Sequence, residues 1–547
     1  MKHPRLWIAL AAGALVLLPL ASAARADATQ PMTAATNEEV NFPVTCAPDS
    51  QKSFNHAVWT LHSFWYPEAD KAFTEIAKSE PGCAMAYWGI AMSHWYPLWY
   101  PPNAAALKAG SEAVDKATAA QPKTEREKAY IAAIAAFYRD SDKLDHRTRA
   151  LAYEKAMEQV YQRYPEDREA GVFYALALNA TALPTDKAYA NKKKAAEILN
   201  QVFAEQPNHP GAVHYLIHSD DTQELAETGL PAAICYAKIA PDVPHALHMP
   251  SHIFTRLGLW QQSIESNRAA HDAALAYARK SRGPDAFDGD TLHPMDYLEY
   301  AYLQTGQDVE AKQVVDELTG FHPATMMPAA PLAYAVAAIP TRYALERRDW
   351  AAAAALSTPA IGVPLERVPW AEAMIAFARA LGRAQTGDTA GAQAEIAKLQ
   401  ALKDKLLEAK DTYWANQVEV QRLGAAGMLA HAQGDDKEAI ELVRAAADLD
   451  ATMDKSPVTP AAALPARELL ADLLLADNDP KSALKEYELS LKAEPNRFRS
   501  LLGKARAAKL AGDQATSRDA YQKLLVLAGR ADGDRPELAE AKAVLSN

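Results

Sequence analysis

The feature that most limits how this chain can fold is an internal repeat with a spacing of 34 residues. Near the C-terminus, Tyr487 recurs as Tyr521, and an Asn-Asp turn at residues 478–479 recurs as a Gly-Asp turn at 512–513. A unit of this length cannot bury its apolar face alone, so neighbouring units must stack on one another. We therefore expect one extended array rather than several unrelated domains.

The pattern within the repeats is helical. Apolar residues recur at spacings of three and four, Ala, Leu, Glu and Lys are abundant, and Pro or Gly separates the segments. Alternating strand patterns are essentially absent. With 49% hydrophobic and 23% charged residues among 547, the chain has enough apolar surface for a sizeable core. The sequence predicts an all-α fold of helix-turn-helix pairs.

A small residue after the first helix, the Asp-containing turn, and then Ala483 and Tyr487 on the second helix resemble the tetratricopeptide repeat (TPR) family. Further turns lie at looser spacings, so some units are degenerate or carry insertions: Gly434-Asp435, Gly387-Asp388, Arg348-Asp349-Trp350, Gly306-Gln307, Gly258-Leu259-Trp260 and Trp65-Tyr66-Pro67. The resemblance implies a right-handed superhelical solenoid whose concave face binds a protein, a peptide or a small ligand.

The first 26 residues are typical of a cleavable export signal. Lys2 and Arg5 precede an apolar run over residues 6–20, and an Ala-Arg-Ala motif at 24–26 places the expected cut after Ala26. No later segment approaches the length of about 20 apolar residues that spans a bilayer, so we expect no integral membrane segment after cleavage. The mature chain is expected to be periplasmic or secreted, as in many exported bacterial TPR proteins.

The sequence divides into four predicted regions. A signal peptide at 1–26 and a linker at 27–50 precede a degenerate TPR-like region at 51–310 and a C-terminal TPR array at 311–547. The formal net charge of −12 disfavours nucleic acid and anionic membrane as partners, because both require a basic surface. Cations in the last repeats suggest a partner-binding array: Arg497, Arg499, Lys504, Arg506 and Lys509.

Three cysteines are present, and an exported chain meets an oxidising compartment. Cys46 and Cys83 are 37 residues apart, and closing that loop would stabilise the fold by about 3–4 kcal/mol. We predict a disulfide between them and expect Cys235 to be buried and reduced. Because no C-x-x-C motif occurs, neither a zinc ribbon nor a thioredoxin-like site is supported.

Histidines form the strongest candidate for a site. Six of the 15 lie between His209 and His252. His214 and His218 are four residues apart, and the 34-residue register carries them to His248 and His252. Residues at i and i+4 share one helix face, and imidazole is a common ligand of Zn, Cu, Fe and Ni. These four histidines are therefore the predicted metal ligands.

Prolines divide the two histidine segments. Pro210 and Pro244 are expected in the first turn of their helices, where a fixed φ and a missing N–H cost nothing. Pro250 lies between His248 and His252 and should kink that helix. The kink either aims the two rings at one point or splays them apart.

The predicted groove also includes residues that lie at the same sequence distance before the turn glycines Gly258 and Gly306. This count pairs His245 with His293 and His248 with Asp296. Asp220 and Asp221 are possible further carboxylate partners of a metal. The predicted ligand-binding residues are His245, His293, Asp296, Tyr300 and Arg256.

Two functions follow from these patterns. The first is an exported TPR solenoid that binds a partner or small ligand on its concave face, and the alternative is a metal-dependent enzyme or metal-binding protein. The histidines could also be hydrogen-bonded packing residues, since repeats often reuse one residue type at one position. The isolated histidines are expected to be satisfied locally or solvated: His62, His94, His146, His271, His322 and His431. The aromatic stretch from Trp88 to Pro102 is expected to pack the N-terminal cap. The motifs H-E-x-x-H, G-x-S-x-G and the phosphate loop are absent.

Overall fold

The computed structural model describes residues 40–98, 101–321 and 330–546. Several predicted features lie outside the described residues: the signal peptide, the first part of the linker, Trp99 and Tyr100 of the aromatic stretch, and His322. The described residues all belong to one compact unit. None of the helices in these ranges has the length and apolar character needed to cross a membrane.

Every regular element in those ranges is helical. The N-terminal part contains α1 (Pro48–His62), α2 (Tyr66–Ser79), α3 (Ala84–Ser93), α4 (Ala104–Ala119), α5 (Glu125–Tyr138), α6 (His146–Arg163), α7 (Arg168–Thr181) and α8 (Ala190–Glu205). The histidine-rich part contains α9 (Pro210–Asp220), α10 (Ala226–Ile239), α11 (Pro244–His248), α12 (Pro250–Arg256), α13 (Trp260–Arg282) and α14 (Gly289–Gln304).

The remaining chain is also built from helices joined by short turns. It contains α15 (Asp308–Gly320), α16 (Ala330–Glu346), α17 (Trp350–Ala354), α18 (Pro369–Gln385), α19 (Thr389–Glu408), α20 (Thr412–Ala432), α21 (Asp436–Asp450), α22 (Ala466–Ala476), α23 (Pro480–Ala493), α24 (Phe498–Leu510), α25 (Gln514–Leu527) and α26 (Pro536–Ser546). A 3-10 turn at Leu365–Arg367 precedes α18. Most helices pack on their neighbours in sequence, whereas α11 packs mainly on α13 and α16 packs mainly on α14 and α18. The predicted all-α superhelical solenoid of TPR-like units is thus confirmed.

The turns between paired helices have the chemistry that the repeat predicts. Gly434 has a φ of +86°, which a residue with a side chain rarely adopts. The next residue, Asp435, caps α21 by accepting a hydrogen bond from the backbone N–H of Glu438 at 3.0 Å. The same pair recurs at Gly387-Asp388 and Gly512-Asp513. Glycine therefore ends one helix and aspartate starts the next.

Within the described residues, three apolar clusters form the core. The first runs from Val40 to Phe254, the second from Trp260 to Ala507, and a small third cluster covers the last helices. Val40 and Phe42 are buried, so the end of the predicted linker packs in the first cluster. The predicted boundary at residue 310 lies inside the second cluster.

The array does not remain open at its C-terminal end. The indole N–H of Trp260, at the start of α13, donates to the backbone carbonyl of Asn496 at 2.8 Å, just before α24. A Cβ on Gly258 would lie 2.3 Å from the carbonyl oxygen of Pro495, so only glycine allows this approach. The last helices therefore fold back onto the middle of the chain.

The cysteines and aromatic residues of the N-terminal part are well packed. Cys46 and Cys83 are joined in a disulfide with their Cα atoms 4.9 Å apart. Cys235 is free and half-buried, whereas the sequence predicted it to be buried. Trp88 and Trp95 are buried in the first apolar cluster, which agrees with a packing role for the aromatic stretch.

Candidate metal centre

The prolines position the two histidine segments. Pro210 and Pro244 occupy the first turns of α9 and α11, as predicted. Pro250 divides its segment into α11 and α12, which Met249 joins with a helical backbone (φ −52°, ψ −38°). Across this break, the Nε2 atoms of His248 and His252 are 2.9 Å apart. The two rings therefore stay together across the break at the proline.

The first group of rings consists of His214, His218 and His245, which we call the first triad. The Nε2 atom of His214 lies 3.1 Å from Nε2 of His218 and 3.1 Å from Nε2 of His245. Two nitrogens bound to one ion at about 2.1 Å, with an angle of 90–109° between them, are about 3.0–3.4 Å apart. The spacing of the first triad fits ligands of a single ion.

The second triad consists of His248, His252 and His293. One ring nitrogen of each lies within 4.8 Å of the others, and the His248 and His293 rings are 4.4 Å apart between centroids. His293 comes from α14, which packs beside α11 and α12. Its Nδ1 atom is buried without a hydrogen-bond partner.

The observed grouping differs from the predicted set of four ligands. His214 and His218 do lie together, as do His248 and His252, but each pair takes its third ring from a residue predicted to bind a ligand. His245 joins the first pair, because its Nε2 lies 3.1 Å from Nε2 of His214 on α9. The structure therefore contains two sets of three instead of one set of four.

Hydrogen bonds fix the tautomers of two rings of the second triad. Asn267 donates its amide N–H to the carbonyl of Ser263 at 2.7 Å, which leaves its Oδ1 as an acceptor 2.7 Å from Nδ1 of His248. The carboxylate of Asp221 accepts from Nδ1 of His252 at 2.9 Å. Both rings therefore carry their proton on Nδ1 and present a bare Nε2 lone pair to each other.

His214 is oriented in the same way. Its Nδ1 donates to the backbone carbonyl of His62 at 2.6 Å, so its Nε2 is unprotonated in the neutral ring. Such contacts to the distal nitrogen typically orient metal-bound histidine. The carbonyl of His62 is itself held in place, because the His62 ring contacts Glu169 at 2.8 Å and the hydroxyl of Tyr215 at 3.0 Å.

Burial keeps these rings neutral. His214, His248 and His252 are 0%, 1% and 2% exposed, and His218 and His245 are half-buried. Burial lowers the pKa of His214 to about 3. It also lowers the pKa of His252, although the hydrogen bond to Asp221 opposes that shift. Neutral imidazole is the form that binds a metal ion.

Three other predicted site residues lie elsewhere or act indirectly. Asp296 pairs with the buried guanidinium of Arg342, and Tyr300 donates to Glu494 at 3.0 Å, so neither joins the triads. Arg256 donates to Asp221 at 2.8 Å and thereby contacts the partner of His252.

The cations of the C-terminal repeats are largely paired within the chain, which removes the main sequence argument for a partner-binding array. Arg497 is fully buried and donates to Glu468 at 2.7 Å and to the hydroxyl of Tyr300 at 3.0 Å. It also pairs with Glu346. Arg499, Lys504 and Arg506 pair with Glu537, Glu488 and Glu540.

Sequence reasoning missed several residues around the triads. Tyr297 is four residues after His293, a spacing that could have placed it on the same face, and its ring lies 5.0 Å from those of His248 and His252. Phe64 adopts a φ of +56° and packs its ring 4.4 Å from that of His214. His62, expected to be satisfied locally, forms a buried group with Glu169 and His209.

No family model matches the sequence, and no curated protein matches it significantly. Among solved structures, the human IFIT1 dimer with m7Gppp-AAAA is 11% identical over 81% of this chain and 90% of that chain, with a TM-score of 0.34. The structure of Naa15/Naa10 bound to HypK-THB is 11% identical over 90% of each chain, with a TM-score of 0.24. The APC/C hetero-tetramer Cut9-Hcn1 is 12% identical over 90% of this chain and 96% of that chain, with a TM-score of 0.25. Similarity at this level transfers no function.

Proposed function

We propose that this chain is an exported helical solenoid whose ligand is a transition-metal ion, bound by the histidine triads of its N-terminal half. The ligand thus lies in a buried polar layer between α9, α11, α12 and α14, and not on an open concave surface.

The contact between His248 and His252 carries the proposal. Their two Nε2 lone pairs face each other at 2.9 Å, because both rings use their proton on Nδ1. Two lone pairs at this distance repel, and burial disfavours the extra proton that would join them. A cation bound by both nitrogens turns this repulsion into two favourable bonds.

The imidazole side chains of the triads limit which metal ions can bind. Both triads are made of imidazole alone, which suits Zn, Cu, Ni and Fe and does not suit Mg, Ca or Mn, whose preferred ligands are oxygens. The contacts of Asn267, Asp221 and the His62 carbonyl would hold the rings in their binding orientation.

Export remains part of the proposal. It rests on the signal-like pattern of residues 1–26 and on the Cys46–Cys83 disulfide, a bond that forms and persists in oxidising compartments. N-terminal sequencing of the protein from the periplasm or medium should give Asp27 as the first residue. Full-length protein retained in the cytoplasm with free thiols would contradict export.

The metal proposal is tested by loading untagged, chelator-treated full-length protein with Zn(II) or Cu(II) and measuring bound metal by elemental analysis. The wild type should retain metal through gel filtration, and a His214→Ala/His248→Ala double variant should lose it.

The matched control is His431→Ala. His431 lies at the end of α20, contacts Asp436, and is not part of either triad. This variant should bind as much metal as the wild type. Equal metal in the control and the double variant, or none in the wild type, would contradict the proposal.

A further inference from the structure

We infer that the two triads act together as one dinuclear centre, in which two metal ions share a small exogenous anion such as hydroxide or azide. This inference rests on the proposed metal binding and adds the number of ions, their coupling and the class of their shared ligand.

The first argument is the distance between the triads. The rings of His218 and His252 are 6.4 Å apart between centroids, and so are those of His245 and His248. Within the triads, the longer separations are 6.2 Å and 6.0 Å, for His218–His245 and His252–His293. Rings of different triads are thus almost as close as rings of the same triad. This spacing is compatible with ions about 3.5–4 Å apart, as in known two-metal sites.

The second argument is coordination number. Each triad offers three nitrogens, whereas these ions bind four or more ligands. Each ion therefore keeps an open position, as catalytic zinc sites with three protein ligands do. Because the triads are adjacent, one small molecule between them can fill an open position on both ions.

The third argument is charge. Two divalent ions bring four positive charges into a buried layer, and six neutral imidazoles compensate none of them. Asp221 bonds to His252, but the same carboxylate lies 2.8 Å from Arg256 and 3.5 Å from Lys455. Its negative charge is already matched by these cations. Buried uncompensated charge is costly, so an anion from solution should enter with the metal.

The first triad is the more exposed of the two. His218 and His245 are half-buried, whereas His248 and His252 are buried. Phe64 stacks on His245 and covers part of this side. We therefore expect the anion to enter at the first triad and to be small.

The experiment uses the full-length protein loaded with Cu(II), with azide as the anion. The wild type should bind two copper ions per chain. After azide is added, the EPR signal of isolated Cu(II) should account for much less copper than elemental analysis finds, since a bridging anion couples the two spins. One azide should bind per pair of copper ions.

Two variants test each half of the centre separately. His245→Gln removes one ring of the first triad, and His293→Gln removes a ring of the second whose Nδ1 has no hydrogen-bond partner. Each variant should bind half as much copper as the wild type, and its EPR signal should account for all of that copper with or without azide.

The outcomes separate the two proposals. Two copper ions whose EPR signal stays complete in azide would overturn the dinuclear centre and leave metal binding intact. One copper ion per wild-type chain would also overturn it. Failure of the wild type to bind any copper or zinc would overturn both proposals.

Discussion

The N-terminal and C-terminal halves of the molecule bury their polar side chains in different ways. In the C-terminal half, Arg497 is surrounded by Glu346, Glu468 and Glu494 and donates a hydrogen bond to each of them. In the N-terminal half, the corresponding layer is formed by neutral histidines, and the Nε2 lone pairs of His248 and His252 point at each other. Each carboxylate of the C-terminal layer thus has its hydrogen-bond partner within the chain.

In the proposed function, a cation completes the histidine layer, and this difference teaches how to recognise a candidate site in a repeat protein. Buried polar groups that satisfy one another stabilise or specify a fold. Buried groups that all lack the same kind of partner indicate the ligand that would supply it.

The largest expected effect is on the C-terminal layer. Arg497→Met leaves Glu346 buried without its cation and leaves Glu468 with Arg348 alone, and we expect the free energy of unfolding to fall by about 3–5 kcal/mol. Urea denaturation of the metal-free protein measures this loss. Arg506→Met is the control, because its partner Glu540 is partly exposed, and it should cost less than about 1 kcal/mol. Equal losses would show that burial of the ion pair does not distinguish the two sites.

The next effect is on the histidine layer. Zinc at a free concentration of 100 times its dissociation constant should stabilise the wild type by about 2.7 kcal/mol, because it binds the folded state. Thermal denaturation with and without zinc measures the gain. The His214→Ala/His248→Ala variant should gain nothing, and stabilisation of that variant to the same extent would place the metal elsewhere.

A smaller effect is expected from the partner of His252. Asp221→Asn removes the carboxylate that holds its Nδ1–H, and metal affinity should fall about 10- to 100-fold. Competition with a coloured chelator gives the affinity. Asp220→Asn is the matched control, since Asp220 is the neighbouring residue, is equally buried, and its Oδ2 has no hydrogen-bond partner among the described residues. Unchanged affinity in the Asp221 variant would mean that this contact does not orient the ligand.

The smallest expected effect is a pH dependence of the stability of the metal-free protein. Burial lowers the pKa of His214 to about 3, against 6.5 when unfolded, so the unfolded chain binds more protons in acid. The stability from neutral His214 is present above pH 6.5 and is lost as pH falls toward 3. Between pH 7.5 and 5.5, the contribution of His214 to the free energy of unfolding should fall by about 1 kcal/mol.

Urea midpoints at both pH values, for the wild type and His214→Gln, check this dependence. The variant should lose part of the pH dependence. An identical slope in both proteins would show that His214 does not contribute to it.

The repeat register predicted the local structure well. Pro210 and Pro244 begin their helices, and the pairs His214–His218 and His248–His252 each place their rings in contact. These features depend on the spacing within one helical segment. The sequence displays such spacing directly.

The other features of the candidate site depend on contacts between residues that are distant in sequence. The spacing of residues along the chain does not encode such contacts. The distance from a turn glycine places Asp296 in the predicted groove, but in the structure Asp296 pairs with Arg342 of α16. His62 supports His214 from 152 residues away. The cations of the last repeats make Arg497 a predicted binding residue. No sequence pattern reveals that Glu346 and Glu468 surround it in the fold.

The return of the C-terminal helices onto the middle of the chain restricts how this protein can evolve. An open solenoid can gain or lose a repeat at little cost, because each unit touches only its neighbours. Here Asp308 pairs with Arg535 and Trp260 bonds to Asn496, so an added unit would move each residue away from its partner. The number of repeats is therefore fixed by the closure, and related chains should vary in loop length but keep the same count of helices between these contacts.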